Sequence, residues 1–233
     1  MKNKVVVIAA HPDDEVLGCG GTIAKHLYDG DEVHILIMAE GLTSRDYNRD
    51  PSTHVSELSN LAKAASAANK ILGATSLTLK SLPDNRMDSL DRLDVIKLVE
   101  DFIQTHNPSI VYTHHIGDVN IDHRRTHEAV VTACRPMPNQ TVKTLLFFEV
   151  SSSTEWQPSI SAPVFSPNWF VDISETLALK LQALHVYETE MRPWPHARSV
   201  EALEHLARWR GATVGVNAAE AFILGRNIIK VSN

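Results

Sequence analysis

An α/β fold, with a mostly parallel sheet covered by helices on both faces, is what this sequence predicts, and three observations predict it. Val5 to Ala10 is a continuous apolar run rich in β-branched residues, the mark of a strand buried on both sides. Apolar runs and helical segments then alternate along the chain, as crossover connections between parallel strands require. Acidic and histidine-rich segments follow two of these strands, at the carboxyl edge where open α/β sheets place their working sites.

The elements follow in order. Strand one, Val5 to Ala10, ends at His11-Pro12 and reads as a central strand. Leu17 to Asp29 predicts a helix, Val33 to Ala39 a second strand, and Val55 to Leu72 an Ala-rich helix closed by Gly73, a residue suited to a left-handed C-terminal cap. A strand is expected at Ser76 to Leu79, a helix at Asp88 to Thr105, a strand at Ile110 to Thr113, a helix from His123 to Cys134, and a strand at Thr144 to Val150. Residues 151–168 hold three prolines and six serines without periodicity, which predicts an exposed loop able to cover a site. Ser174 is placed to cap a helix running to Tyr187, a further helix covers Ser199 to Arg210, and Phe222 to Ile229 reads as a short edge strand. This order is Rossmann-like, and one domain over 1–233 accommodates it, since a chain of this size buries roughly 70 to 75% of its unfolded surface.

Composition removes several functions. With 22 basic against 28 acidic residues and a formal charge of −6, the chain has no overall field to gather nucleic acid or an anionic membrane. Cys19 and Cys134 are the only cysteines, too few for a disulfide framework or a four-cysteine zinc site. The Val5 to Ala10 run falls far short of the roughly 20 residues that span a bilayer. The opening stretch turns acidic where a signal peptide needs small residues, so a cytoplasmic location is expected. A homo-oligomer is compatible with all of this.

The loop after strand one is His11-Pro12-Asp13-Asp14-Glu15. Gly18, Gly20 and Gly21 suggest a nucleotide-binding turn, but a GxGxxG match needs glycine where Ile23 stands. The preceding carboxylates would also repel a pyrophosphate. They suit a cation. Taken singly, such residues are caps or packing groups, whereas His11 and Asp14, three apart across a turn, can address one ion.

A second dense patch runs from Tyr112 to His123 after the fourth strand. Together the two loops offer the two imidazoles and one carboxylate of a hydrolytic zinc site, leaving a fourth position for water. His11, Asp14 and His123 are the expected ligands. His127 lies four residues beyond His123 on the same helix, and of the adjacent His114 and His115 at most one can face the ion. Asp122 suits a carboxylate that orients an imidazole rather than a ligand.

Ala10-His11-Pro12-Asp13-Asp14-Glu15 and Asn120-Ile121-Asp122-His123 resemble the opening and second motifs of the PIG-L/LmbE family of zinc-dependent N-deacetylases. The resemblance extends through Leu72-Gly73, Pro83-Asp84-Asn85 and Arg210-Gly211 to Ala219-Glu220-Ala221-Phe222. It implies zinc on His11, Asp14 and His123, with Asp13 as general base. Fe2+ or Co2+ suits the same ligand types. Two departures stand out. Asn120 replaces the histidine that opens the second motif in many members, so it can donate a hydrogen bond but carry no proton. Leu61 and Ala64 stand where an arginine and a glutamate are expected in the Val55 to Leu72 helix.

The expected reaction is hydrolysis of the acetyl or acyl amide of an N-acylated amino sugar, sugar nucleotide or related conjugate. Alternatives are an amide in a thiol-sugar conjugate, a non-sugar N-acyl substrate, or a non-catalytic metal-binding module. Asp13 takes a proton from water and returns it to the leaving amine. His196, in the proline-stiffened segment Arg192 to Arg198, is the expected second donor to the oxyanion, in place of the missing histidine. Arg45 and Asn120 are expected to contact substrate.

Overall fold

A computed structural model describes residues 2–229 of the chain; Met1 and residues 230–233, the ends of the expected 1–233 domain, lie outside the described residues. Seven strands form one sheet in the order β3-β2-β1-β4-β5-β7-β6. They are β1 (Lys4–Ala9), β2 (Glu32–Ala39), β3 (Ser76–Leu82), β4 (Ile110–His114), β5 (Thr144–Phe148), β6 (Trp169–Asp172) and β7 (Ala219–Asn227). The first five are mutually parallel, with β1 between β2 and β4.

Alternation along β1 explains its unbroken apolar run. Val5 and Val7 join one core with α1 (Asp14–Tyr28), α2 (Val55–Leu72) and α5 (Leu177–His185), while Val6 and Ile8 join a second core with α3 (Arg92–His106) and α4 (Ile121–Ala133). Period-two side-chain direction sends successive residues to opposite faces, so a strand covered on both sides must be apolar throughout. Because β2 and β3 lie on one side of β1 and β4 on the other, the loops after β1 and β4 diverge at a switch point in strand order. That crevice is the expected ligand site.

Several boundaries differ from expectation. The final strand, expected at the edge, lies inside the sheet: β7 pairs antiparallel with β5 and with β6. The four-residue strand Trp-Phe-Val-Asp was unforeseen because it is too short to show a period. Ser174 does not cap the next helix; its backbone N–H and hydroxyl both donate to Asp172, and α5 starts only at Leu177. A short turn at Met87–Ser89 precedes α3, delaying that helix to Arg92. α6 (Val200–Ala212) begins at Ser199, whose hydroxyl accepts from the Ala202 N–H. None of the described helices is long and apolar enough to cross a membrane.

Helix α1 starts at Asp14 rather than Leu17 and is broken at Cys19, where φ is −150° and ψ is 26°. The break frees backbone groups in the interior, and two buried charges satisfy them. Glu220 accepts from Gly21 N–H at 3.0 Å and from Thr22 N–H at 2.7 Å, while Lys180 Nζ donates to Leu17 O at 2.8 Å and to Glu220 at 2.6 Å. The helix N-terminus that could bind an anion therefore already holds a carboxylate of the chain itself. The glycines here serve packing: a Cβ on Gly18 would lie 2.3 Å from the Phe148 ring, and one on Gly21 would lie 2.8 Å from Ile173.

Candidate metal and catalytic centre

The loop after β1 and the first residues of α4 bring His11, Asp14 and His123 together, with one donor atom of each within 4.8 Å of the others. His11 Nδ1 and His123 Nε2 each lie 3.2 Å from Asp14 Oδ2. All three residues are buried. Asp14 Oδ1 and His123 Nε2 are buried without a hydrogen-bond partner, which is costly for polar atoms unless something else satisfies them.

A second trio, His11, Asp84 and Asp122, also converges, but its carboxylates are filled by backbone donors. Asp122 accepts from Asn85 N–H at 2.6 Å, from Met87 N–H at 2.9 Å and from His11 Nε2 at 3.0 Å. Asp84 accepts from Ser44 N–H at 3.0 Å and lies 3.2 Å from His11 Nε2. These carboxylates hold the far nitrogen of His11 and turn Nδ1 toward Asp14. Asp118 does the same for His123, with Oδ2 3.1 Å from Nδ1. Carboxylate-oriented imidazoles of this kind are typical of metal centres.

Acidic side chains crowd this cluster. Asp13, Asp14, Glu15, Asp84, Asp118 and Asp122 are all buried. Burial would raise the Asp14 carboxyl, but the His123 and His11 rings outweigh it and hold it well below the usual range. Burial disfavours a charged His123, yet Asp14 and Asp118 prevail and hold the ring up at about 9. Asp84 is likewise brought down to about 2 against its burial, chiefly by His11. Carboxylates this poorly solvated favour any cation offered to them, and a divalent ion would displace the imidazole protons.

Asp13 stands beside this group in a conformation rare outside glycine, φ 106° and ψ −30°. Glu15 holds it there. Its Oε2 accepts from the Asp13 N–H at 3.1 Å, and its Oε1 is fixed by Asn69 Nδ2 at 2.8 Å and Tyr187 OH at 2.7 Å. Asp13 Oδ2 accepts from Arg198 Nη1 at 2.9 Å, leaving Oδ1 buried and free of partners. Burial pushes the Asp13 carboxyl up to about 8, against the pull of Arg198. Such strain and pKa displacement cluster at functional sites.

The other expected residues lie as follows. His196 is in the same loop as Arg198; its Nδ1 accepts from the Arg198 backbone N–H at 3.0 Å, and its ring meets Trp156 edge-on. Arg45 is paired with Glu190 through Nη2 at 2.7 Å. Asn120 caps α4, its Oδ1 accepting from Asp122 N–H at 2.8 Å. His114 is stacked on His123 at 4.0 Å between centroids, and its Nε2 accepts from Ala10 N–H at 2.8 Å. His115 Nε2 donates to Pro163 O, and His127 Nδ1 to His114 O. None of these falls within the three-donor group. Arg198, Asp118, Asp84 and Glu15 were not assigned roles from the sequence. Asp118 and Glu15 lie within the two dense patches and Asp84 in Pro83-Asp84-Asn85, but nothing local links Arg198 to Asp13 at a separation of 185 residues.

The deacetylase YaiS of Escherichia coli K12, named as uncharacterised, is 29% identical over 191 residues, covering 79% of this chain and 90% of that protein. Diacetylchitobiose deacetylase of Thermococcus kodakarensis is 29% identical over 203 residues, covering 80% and 70%. Among solved structures, GalB, the 4-carboxy-2-hydroxymuconate hydratase of Pseudomonas putida KT2440, shares the fold at TM-score 0.77 and 21% identity, covering all of both chains. The family model described as GlcNAc-PI de-N-acetylase matches residues 6–134, the stretch that contains both loops of the centre, and the chain belongs to this PIG-L family.

Proposed function

We propose that the chain is a metal-dependent N-deacetylase that hydrolyses the acetyl or acyl amide of an amino sugar or sugar conjugate. One observation carries this reading: His11, Asp14 and His123 converge with two orphaned donor atoms while Asp13 presents an unpartnered carboxylate oxygen beside them. The donor set of two imidazoles and a carboxylate fits Zn2+, and Fe2+ or Co2+ fits it as well. An ion held there supplies Lewis acidity toward water and toward the amide carbonyl.

The protein's own groups perform the proton transfers. With a cation in the neighbouring group offsetting the burial that raises its carboxyl, Asp13 takes a proton from the attacking water at Oδ1 and delivers it to the leaving nitrogen, so one carboxyl serves both halves of the reaction. Arg198 holds Oδ2 and keeps Oδ1 turned to the substrate. His196 is proposed as the second donor to the oxyanion, from the loop that also carries Arg198. Arg45 and Asn120 are proposed substrate contacts. Leu61 and Ala64 line a cavity of about 230 Å3 together with Leu42, Arg45, Glu188 and Glu190, and this cavity, which holds Arg45, is proposed to receive part of the substrate.

The test is to purify the chain, measure bound metal, and assay amine release from a panel of N-acyl sugars, free and nucleotide-linked, before and after chelation. Amine release that chelation abolishes and metal restores supports the proposal. Bound metal with no amine release across the panel overturns it. Because a hydratase shares the fold, conjugated unsaturated carboxylates belong in the panel; their turnover would move the reading to water addition.

A further inference from the structure

Residues 152–154 begin the segment that sequence periodicity left without a role, yet their side chains are buried, at 9%, 3% and 6% exposure. Each hydroxyl is bonded to the centre. Ser152 Oγ accepts from Arg198 Nε at 2.7 Å, and the same guanidinium donates to Asp13. Ser153 Oγ donates to Asp118 Oδ1 at 2.5 Å, and Thr154 Oγ1 donates to Asp118 Oδ2 at 2.7 Å. Asp118 in turn faces His123 Nδ1.

The turn is itself held in shape. Ser152 has a φ of 66°, and Glu155 accepts from the N–H groups of Ser152 and Ser153 at 2.6 and 3.3 Å. Thr154 Oγ1 also accepts from Val150 N–H at 2.9 Å, which fixes the direction of its proton toward Asp118. One short turn therefore reaches two separate groups, the base through Arg198 and a ligand through Asp118.

We propose that Ser152, Ser153 and Thr154 are positioning residues: Ser152 sets the Arg198–Asp13 pair, and Ser153 with Thr154 orient Asp118 so that His123 presents Nε2 to the metal. This rests on the metal and base roles proposed above. A turn that served only folding would have no reason to connect its hydroxyls to both groups, and its loss would lower stability without separating metal affinity from turnover.

The experiment measures zinc affinity of the apo-protein by chelator competition, together with kcat, KM and thermal midpoint, for Ser152→Ala, Ser153→Ala, Thr154→Val and Thr154→Ser. Direct partners of metal ligands, here Asp118, are worth about 10- to 100-fold in affinity, so Ser153→Ala and Thr154→Val, each removing one donor to Asp118, are expected to weaken zinc binding by about 10-fold, the lower end of that range. Thr154→Ser keeps the hydroxyl and is expected to bind zinc as the wild type does. Ser152→Ala is expected to lower kcat about 10-fold, part of the about 10²- to 10⁴-fold that a positioned base contributes, with KM and zinc affinity unchanged and no further loss in an Asp13→Asn background. Wild-type zinc affinity in Thr154→Val, an equal loss in Thr154→Ser, or unchanged kcat in Ser152→Ala of an active enzyme overturns the proposal. A wild-type protein that binds zinc but releases no amine refutes the deacetylase reading instead, and the zinc-affinity arm still decides the role of Ser153 and Thr154.

Discussion

Replacing Asp13 by asparagine separates the proposed base from the proposed metal ligands. Asparagine tolerates positive φ better than most residues, so the backbone at φ 106° is kept, whereas alanine would add strain. Its amide oxygen can accept from Arg198 in place of Oδ2, and its NH2 then occupies the position of the unpartnered Oδ1. Nothing that accepts a proton remains there. A positioned general base contributes about 10²- to 10⁴-fold, which is about 2.7 to 5.5 kcal/mol of barrier. The loss is expected in kcat, with KM unchanged, in an amine-release assay at saturating metal. Bound zinc, measured after gel filtration, is expected to stay at the wild-type level, because Asp13 is outside the three-donor group. Asp14→Asn is the counterpart and is expected to lose the metal. An Asp13→Asn protein that has lost its zinc, beside an Asp14→Asn protein that keeps it, would show that the two roles have been exchanged and refute the reasoning.

Other perturbations follow from the same geometry. Lys180→Met leaves Glu220 buried without its cation, and breaking one partner of a buried pair costs about 3 to 5 kcal/mol; urea unfolding monitored by far-ultraviolet circular dichroism should show it, and a change below about 1 kcal/mol would mean the pair does not hold the α1 break. Gly117→Ala places a Cβ 1.8 Å from Pro163 O, so the backbone at Gly117 or Pro163 must shift; faster proteolytic nicking in residues 151–168 and reduced turnover are expected, and a protein indistinguishable from wild type in both contradicts this close packing. His34 and His106, stacked at 4.0 Å, are both held below the ordinary imidazole range by burial, His34 also by the facing His106, and both by Lys4. The unfolded chain therefore binds more protons than the folded one between the depressed values and about pH 6.5, so these rings cost stability as pH falls through that window. The double variant His34→Gln, His106→Gln should flatten the thermal midpoint across it, and an unchanged slope would exclude the pair as the cause.

Much of the centre was legible before any coordinates. The β1 run could only be a strand covered on both faces, and the residues after it had to lie at the carboxyl edge; the same held for β4 and His123. Local patterns of this kind encode burial and direction directly. The β6–β7 arrangement was not legible, since a four-residue strand has no period to detect and antiparallel insertion between β5 and β6 depends on pairing between segments far apart in the chain, such as Thr144 with Asn227 and Trp169 with Phe222. Ser174 met every local criterion for a cap, yet Asp172 offered its hydroxyl a nearer partner.

The sequence by itself determined the layered α/β architecture and the two loops, and it carried the expectation that His11, Asp14 and His123 address one ion, because apolar periodicity and residue type are properties of short segments. Only the tertiary structure decided which groups complete the centre. Arg198 meets Asp13, Asp118 and Asp122 each face a different imidazole, and Ser152 to Thr154 bond to both Arg198 and Asp118. These contacts link positions far apart in the chain, and a hydrogen bond between such positions leaves no trace in the local pattern of either one.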